Sequence, residues 1–152
     1  MFGIFKKKKC PKKGALDVAA SLYSFISVGI DLIETDLPEK VQIATNLYMV
    51  GVLDCLSQRF NLSEEEFFEI TLVFFRTIGL NDVYIDLLMK FFTNMQKHPK
   101  AKECVIKGGT TCNDWLNGNK SIPIATKLFI EEFVEDQDFP NTPGHLYVAL
   151  DQ

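Results

Sequence analysis

Residues 61–80 constrain the fold most, because this stretch carries signals for both ends of a single helix. Ser63 and Glu66 have the spacing of a capping box, in which each side chain accepts a hydrogen bond from the other residue's backbone N–H. Gly79 suits the left-handed conformation that ends many helices. Between these ends, at about 100° per residue, apolar side chains cover an arc of roughly 200°. Such an arc needs cover from at least two other elements, so the sequence predicts that this helix lies at the centre.

Apolar residues at helical spacing predict further helices on both sides of this one. Asp36 and Asn81 are predicted to cap the second and fourth helices, and Pro99 is predicted to end the fourth. The second helix is apolar nearly all round, which is typical of a core helix. With their capping residues, the predicted helices span approximately residues 15–35, 36–60, 63–79, 81–97 and 124–136.

Residues 98–120 lack this regularity. Gly108 and Gly109 are adjacent and predict a break after a short helix. A second capping box at residues 111–114 predicts a new turn, which Gly118 ends. The sequence therefore predicts an all-α fold: a single-domain bundle of about five principal helices with an irregular 98–120 segment. The domain is expected to cover residues 14–152, preceded by a basic flexible tail over residues 1–13.

Charge is distributed unevenly along the 152 residues. The chain has 16 Lys and Arg against 20 Asp and Glu, and six of the lysines fall in residues 1–13, which contain no acid. The rest of the chain therefore carries 10 basic and 20 acidic residues, a balance that would repel nucleic acid. The longest charge-free runs, residues 18–30 and 41–53, contain 13 residues each. A membrane-spanning helix needs about 20 apolar residues, so none is expected.

The basic tail has two interpretations. Its apolar and lysine side chains form a candidate contact with an anionic membrane surface, with lysines on lipid phosphates and apolar groups in the interface. The residues of this candidate contact are Phe2, Ile4, Phe5, Lys6, Lys7, Lys8 and Lys9. The other interpretation is a solubilising terminus with no binding role.

Four cysteines occur without Cys-x-x-Cys spacing: Cys10, Cys55, Cys104 and Cys112. An acidic chain of this kind without a recognisable secretory signal favours free thiols and a cytoplasmic location, with membrane attachment only at the surface. Cys104 and Cys112 are candidate reactive thiols. They carry the alternative function, a thiol-dependent enzyme or redox protein.

Acidic residues cluster near the end of the last predicted helix, where they interact unfavourably with the helix dipole. They form a candidate face for a basic partner, and a solvated acidic surface is the alternative. The face consists of Glu131, Glu132, Glu135 and Asp136.

Metal and cofactor motifs are not found. The two histidines, His98 and His145, lack a second ligand at helical spacing, and no catalytic or phosphate-binding motif is complete.

Three Phe-Phe pairs, at 67–68, 74–75 and 91–92, leave rings that one neighbouring helix cannot cover, and so suggest a homodimer face. The preferred function is a small non-catalytic interaction or regulatory protein with a protein partner, peripheral at an anionic membrane surface through its tail.

Overall fold

The computed structural model describes residues 10–95, 98–118 and 122–136, and of Ile122 and Pro123 only the backbone. Within these ranges the chain forms six α-helices and no strand, which confirms the predicted all-α bundle. None of these helices is both long and apolar enough to cross a bilayer. The helices are α1 (Pro11–Ile30), α2 (Pro38–Arg59), α3 (Glu64–Thr77), α4 (Asp82–Thr93), α5 (Pro99–Leu116) and α6 (Ile122–Glu135).

The centre of the bundle is α2, as its apolar sequence predicts for a core helix. Fifteen of its 22 residues are buried, and it packs on each of the other five helices. The central position predicted for α3 is wrong. Its apolar arc is indeed covered by more than one element, namely α1, α2 and α4, but it has no comparable contact with α5 or α6. A helix can be apolar on one broad side and still lie at the edge, because its opposite side remains in water.

Both ends of α3 form as the sequence predicts. Ser63 Oγ accepts a hydrogen bond from Glu66 N at 3.1 Å, and Glu66 Oε1 accepts one from Ser63 N at 3.0 Å. Gly79 has φ +99°, and its N–H donates to Arg76 O while Leu80 N–H donates to Phe75 O. This is the Schellman arrangement, which satisfies carbonyls that the helix itself leaves unpaired.

Several predicted boundaries differ from the observed ones. The first helix begins at Pro11 and ends at Ile30, so residues 11–13 of the predicted tail belong to α1. Leu37, rather than Asp36, occupies the N-cap position of α2, and no side chain caps that end. Proline at the first helical position has no N–H to satisfy, which reduces the need for such a cap. Asn81 caps α4 as predicted, through a 2.9 Å hydrogen bond from Tyr84 N.

The prediction that residues 98–120 form an irregular segment is wrong, because residues 99–116 form the continuous helix α5. Pro99 begins this helix and does not end α4, which stops earlier at Thr93. Gly108 and Gly109 lie inside α5, and the predicted new turn at residues 111–114 is part of the same helix. Only Gly118, with φ +92°, acts as the predicted stop.

The glycines of α5 are explained by its contact with α2. A Cβ atom placed on Gly108 would lie 1.8 Å from the carbonyl oxygen of Tyr48, and one placed on Gly51 would lie 1.8 Å from that of Val105. Both distances are far below van der Waals contact, so glycine alone fits at these two positions. The backbones of α2 and α5 therefore touch, and this contact outweighs the lower helix propensity of glycine.

The paired phenylalanines are used inside the bundle. Phe67, Phe74, Phe75 and Phe91 are buried, and the half-buried rings of the other two pack against this core. Phe92, for example, lies 5.1 Å from Phe67 between ring centroids. The structure thus provides cover for the rings that suggested a homodimer. The oligomeric state itself stays a prediction.

Candidate functional site

The candidate membrane contact lies entirely outside the described residues, which include none of Phe2, Ile4, Phe5 and Lys6–Lys9. What the structure places is the point where that segment enters the bundle. Helix α1 starts at Pro11, so only Cys10 separates the last of the four consecutive lysines from the first turn of a helix. The positive end of the α1 dipole adds to the lysine charge at this point.

The start of α1 lies beside α3. Lys12 Nζ donates a hydrogen bond to Glu69 Oε2 at 2.7 Å, and this ion pair raises the pKa of Lys12. A Cβ on Gly14 would lie 2.7 Å from the Phe60 ring, which places this end of α1 near the end of α2. Acidic residues Glu64, Glu65 and Glu66 form the adjacent first turn of α3. The entry point of the basic segment therefore has an acidic neighbour.

Within that acidic turn, Glu66 has a structural role. The hydrogen bond from the Ser63 backbone N–H lowers the pKa of its carboxyl group. Glu64 and Glu65 are exposed, and the capping box uses neither of them. These two carboxylates can therefore be neutralised without removing the capping box.

The candidate acidic face on α6 is partly neutralised by the chain's own lysines. Glu131 Oε1 accepts a hydrogen bond from Lys127 Nζ at 2.6 Å, and Asp136 Oδ2 lies 3.5 Å from Lys100 Nζ. The buried amine of Lys40 donates to the backbone carbonyl of Asp136. These cations offset the unfavourable dipole interaction that suggested an external partner.

Glu132 and Glu135 complete the predicted acidic face and remain exposed. They lie on the part of α6 that also exposes Ile124 and Leu128. Their use by a basic protein partner stays a prediction.

The two candidate reactive thiols lie in the core. Cys104 and Cys112 are both fully buried, and burial raises the pKa of each thiol far above its ordinary value. The thiolate is the nucleophilic form of cysteine, and a reactive thiol is normally accessible and acidic. Neither Cys104 nor Cys112 has these properties. The predicted alternative, an enzyme or redox protein that uses Cys104 or Cys112, therefore receives no support from the surroundings of either thiol by itself.

A groove between α2 and α5 was not predicted from the sequence. Its volume is about 360 Å³, and α2 supplies Asp54, Cys55, Gln58 and Arg59 to its wall. Helix α5 supplies Thr110 and Asn113. Gly51 and Gly109 also line it, so the groove lies along the close contact of the two helices. One sequence signal could have indicated this groove: glycines within otherwise helical segments can mark a close approach of two backbones.

The groove combines both signs of charge with amide groups. Gln58 Nε2 donates a hydrogen bond to Asp54 Oδ2 at 3.2 Å. Burial raises the pKa of Asp54 despite that hydrogen bond. Arg59 and Asn113 add donors for carboxylate or carbonyl oxygens. The lining thus presents one guanidinium, one carboxyl group and two amides beside the apolar side chains of Met95, Val105 and Ile106.

A second polar cluster lies deeper and joins three helices. Tyr48 Oη is hydrogen-bonded to Thr111 Oγ1, and it lies 3.1 Å from Thr126 Oγ1. Burial raises the pKa of Tyr48, so its hydroxyl stays protonated. No buried side-chain N or O atom in the described residues lacks a hydrogen-bond partner. The cluster therefore stabilises the packing of α2, α5 and α6.

The surroundings of His98 agree with a capping role. Its Nδ1 accepts a hydrogen bond from Ala101 N at 3.3 Å at the start of α5, and its ring packs 6.5 Å from Phe91. His145 lies outside the described residues. Among the residues that are described, no three His, Cys, Asp or Glu side chains converge as ligands for a metal ion.

Comparison with protein-family models, curated proteins and solved structures finds no match to this chain.

Proposed function

We propose that this protein is a non-catalytic helical interaction protein that binds reversibly to anionic membrane surfaces through its amino-terminal segment. The observation that carries this proposal is the concentration of six lysines, with no acid, in residues 1–13 of a chain that is otherwise acidic. Each lysine near an anionic bilayer contributes about 1 kcal/mol of attraction. Phe2, Ile4 and Phe5 supply apolar groups for the interface.

The position of α1 supports a direct coupling between this segment and the helical body. Because α1 begins at Pro11, lysines bound to lipid phosphates would hold the first turn of α1 close to the membrane. Lys12 is engaged with Glu69, so Lys6–Lys9 supply most of the available positive charge. Glu64 and Glu65 lie near the same end of the bundle and would be repelled by the same phosphates. We therefore expect binding to be weak and sensitive to salt, since screening acts over about 8 Å at physiological ionic strength.

The test is co-sedimentation of the full chain with vesicles that contain anionic phospholipid or only zwitterionic phospholipid. Replacement of Lys6, Lys7, Lys8 and Lys9 by Gln should lower binding to anionic vesicles at least tenfold. The matched control replaces four lysines of the helical body by Gln, which changes the net charge equally: Lys90, Lys100, Lys102 and Lys107. This control should retain most of the binding.

A second pair of variants tests the predicted orientation. Glu64→Gln with Glu65→Gln removes repulsion near the entry point and should strengthen binding. Glu132→Gln with Glu135→Gln removes the same charge from the end of α6 that packs near Lys40. That place is at the opposite end of α2, roughly 30 Å away at 1.5 Å per residue, so binding should change little. Equal binding to zwitterionic vesicles, or full binding without the four lysines, would contradict the proposal.

A further inference from the structure

Two thiols meet where α2 and α5 pack together. Cys55 is half-buried and lines the α2–α5 groove, while Cys112 lies fully buried behind it. The Cys55 thiol is close enough to raise the pKa of Cys112 further, beyond the effect of burial. The pair therefore combines one sulfur that a solute can reach with a second, buried sulfur beside it.

The close helix contact fixes this pairing. Helices α2 and α5 run in the same direction, since Lys40 and Lys100 near their starts both contact Asp136. Cys55 lies one helical turn beyond Gly51, and Cys112 lies one turn beyond Gly108. Because the backbones touch at the two glycines, the residues one turn further along are held within side-chain reach of each other.

We propose that Cys55 and Cys112 form a redox-active dithiol, which a low-molecular-weight disulfide of the glutathione type oxidises to a disulfide between α2 and α5. The groove gives such a molecule access to Cys55. Its lining offers the Arg59 guanidinium and the Gln58 and Asn113 amides to the carboxylates and peptide groups of a glutathione-like reagent.

Oxidation takes place in two exchange steps. The Cys55 thiolate attacks one sulfur of the small disulfide, which forms a mixed disulfide and releases one thiolate. Cys112 then loses its proton and attacks the Cys55 sulfur, which forms the protein disulfide and releases the second thiolate. The two protons lost by the cysteines are taken up by the released thiolates. Overall, the protein dithiol loses two electrons and two protons, and one small disulfide becomes two small thiols.

The burial of the two sulfurs sets the order of these steps. Cys112 is inaccessible, and burial raises the pKa of its thiol, so it does not react first. Once Cys55 carries a mixed disulfide, Cys112 is already next to the sulfur that it must attack. Nearby Arg59 favours the thiolate that forms there during the second step.

The test is oxidation of the full native chain with oxidised glutathione, followed by alkylation of the remaining thiols and peptide mass mapping. The expected product has lost two hydrogens and contains a peptide pair linked through Cys55 and Cys112. Excess reduced glutathione should reverse the reaction. The exposed Cys10 serves as an internal control, because it should form a mixed disulfide under the same conditions.

Two variants separate the steps. Cys112→Ser should stop the reaction at a glutathione adduct on Cys55, while Cys104→Ser should leave the cross-link unchanged. Peptide mass mapping of the oxidised native chain, which carries no substitution, tests the proposal even if a variant fails to fold. Two results in the native chain would overturn the proposal: a lasting glutathione adduct on Cys55 with Cys112 still free, or modification of Cys10 without any reaction at Cys55.

Discussion

The contact between α2 and α5 can be tested with two adjacent glycines whose replacement should have opposite effects. In Gly108→Ala, the new Cβ would lie 1.8 Å from Tyr48 O. A carbon atom normally stays about 3.3 Å or more from a carbonyl oxygen, so the helices would have to separate by about 1.5 Å. The obstacle is the backbone of a buried helix, which cannot rotate aside as a side chain would.

The magnitude follows from two opposing terms. Overpacking of a core typically costs about 1–3 kcal/mol, and a clash between two backbones belongs at the upper end of that range. Alanine has a helix propensity about 1 kcal/mol more favourable than glycine. We therefore expect Gly108→Ala to lower the free energy of unfolding by about 2 kcal/mol.

Gly109→Ala is the matched control. Its Cβ would lie 3.5 Å from Gly51 O, which is an ordinary contact. This variant should gain stability of up to about 1 kcal/mol from helix propensity alone. Two chemically identical changes at neighbouring positions should thus differ by about 3 kcal/mol.

Urea denaturation followed by far-ultraviolet circular dichroism measures this difference. For a protein of this size, about 3 kcal/mol should separate the two midpoints by about 1 M or more. If Gly108→Ala is as stable as Gly109→Ala, the two backbones do not touch at residue 108. If both variants lose stability equally, a helix break at residues 108–109 becomes the better explanation.

Three other changes test the core, a helix end and a buried carboxyl group. Phe75→Ala should lower the free energy of unfolding by about 3–5 kcal/mol, because the ring is fully buried, and a change below about 1 kcal/mol would contradict that packing. Ser63→Ala should lower the free energy of unfolding by about 1 kcal/mol through the lost cap, and it should increase amide hydrogen exchange at Glu66. Ser63→Thr should keep both the stability and the protection of the Glu66 amide, because threonine can also cap the helix. Asp54→Asn should stabilise the protein at neutral pH. Burial raises the folded-state pKa of Asp54 above its ordinary value of 3.8, so the native protein loses stability as pH rises through that region. The gain should vanish in acid, where the Asp54 carboxyl is protonated in both states; a gain that persists there would have another cause.

Sequence alone was sufficient for several features that depend on neighbouring residues, although the predicted Asp36 cap and the capping box at residues 111–114 did not form. The capping box of Ser63 and Glu66, the Asn81 cap and the Gly79 stop all formed as predicted, because each involves groups within a few positions of one another. The burial of α2 was also predictable, since a helix with so few polar residues has no side to present to water.

Of the candidate sites, one could be recognised from the sequence alone and another could be interpreted only from the fold. The charge of the amino-terminal segment is a property of composition, and it needs no fold to be recognised. The acidic face on α6 suggested an external basic partner until the positions of Lys40 and Lys100 were known. These lysines are distant in sequence and reach Asp136 only in the folded chain, where they offset part of its charge.

Residues 98–120 show what only the tertiary structure decided. Gly108 and Gly109 favour a break when their local propensity is considered alone. The deciding contact is with Tyr48 and Gly51, more than fifty positions earlier, and no local pattern records it. The same contact brings Cys112 against Cys55 and forms the groove beside them. Local hydrogen bonds therefore determined where α3 and α4 begin and where α3 ends, while the approach of two distant backbones determined which side chains share a site.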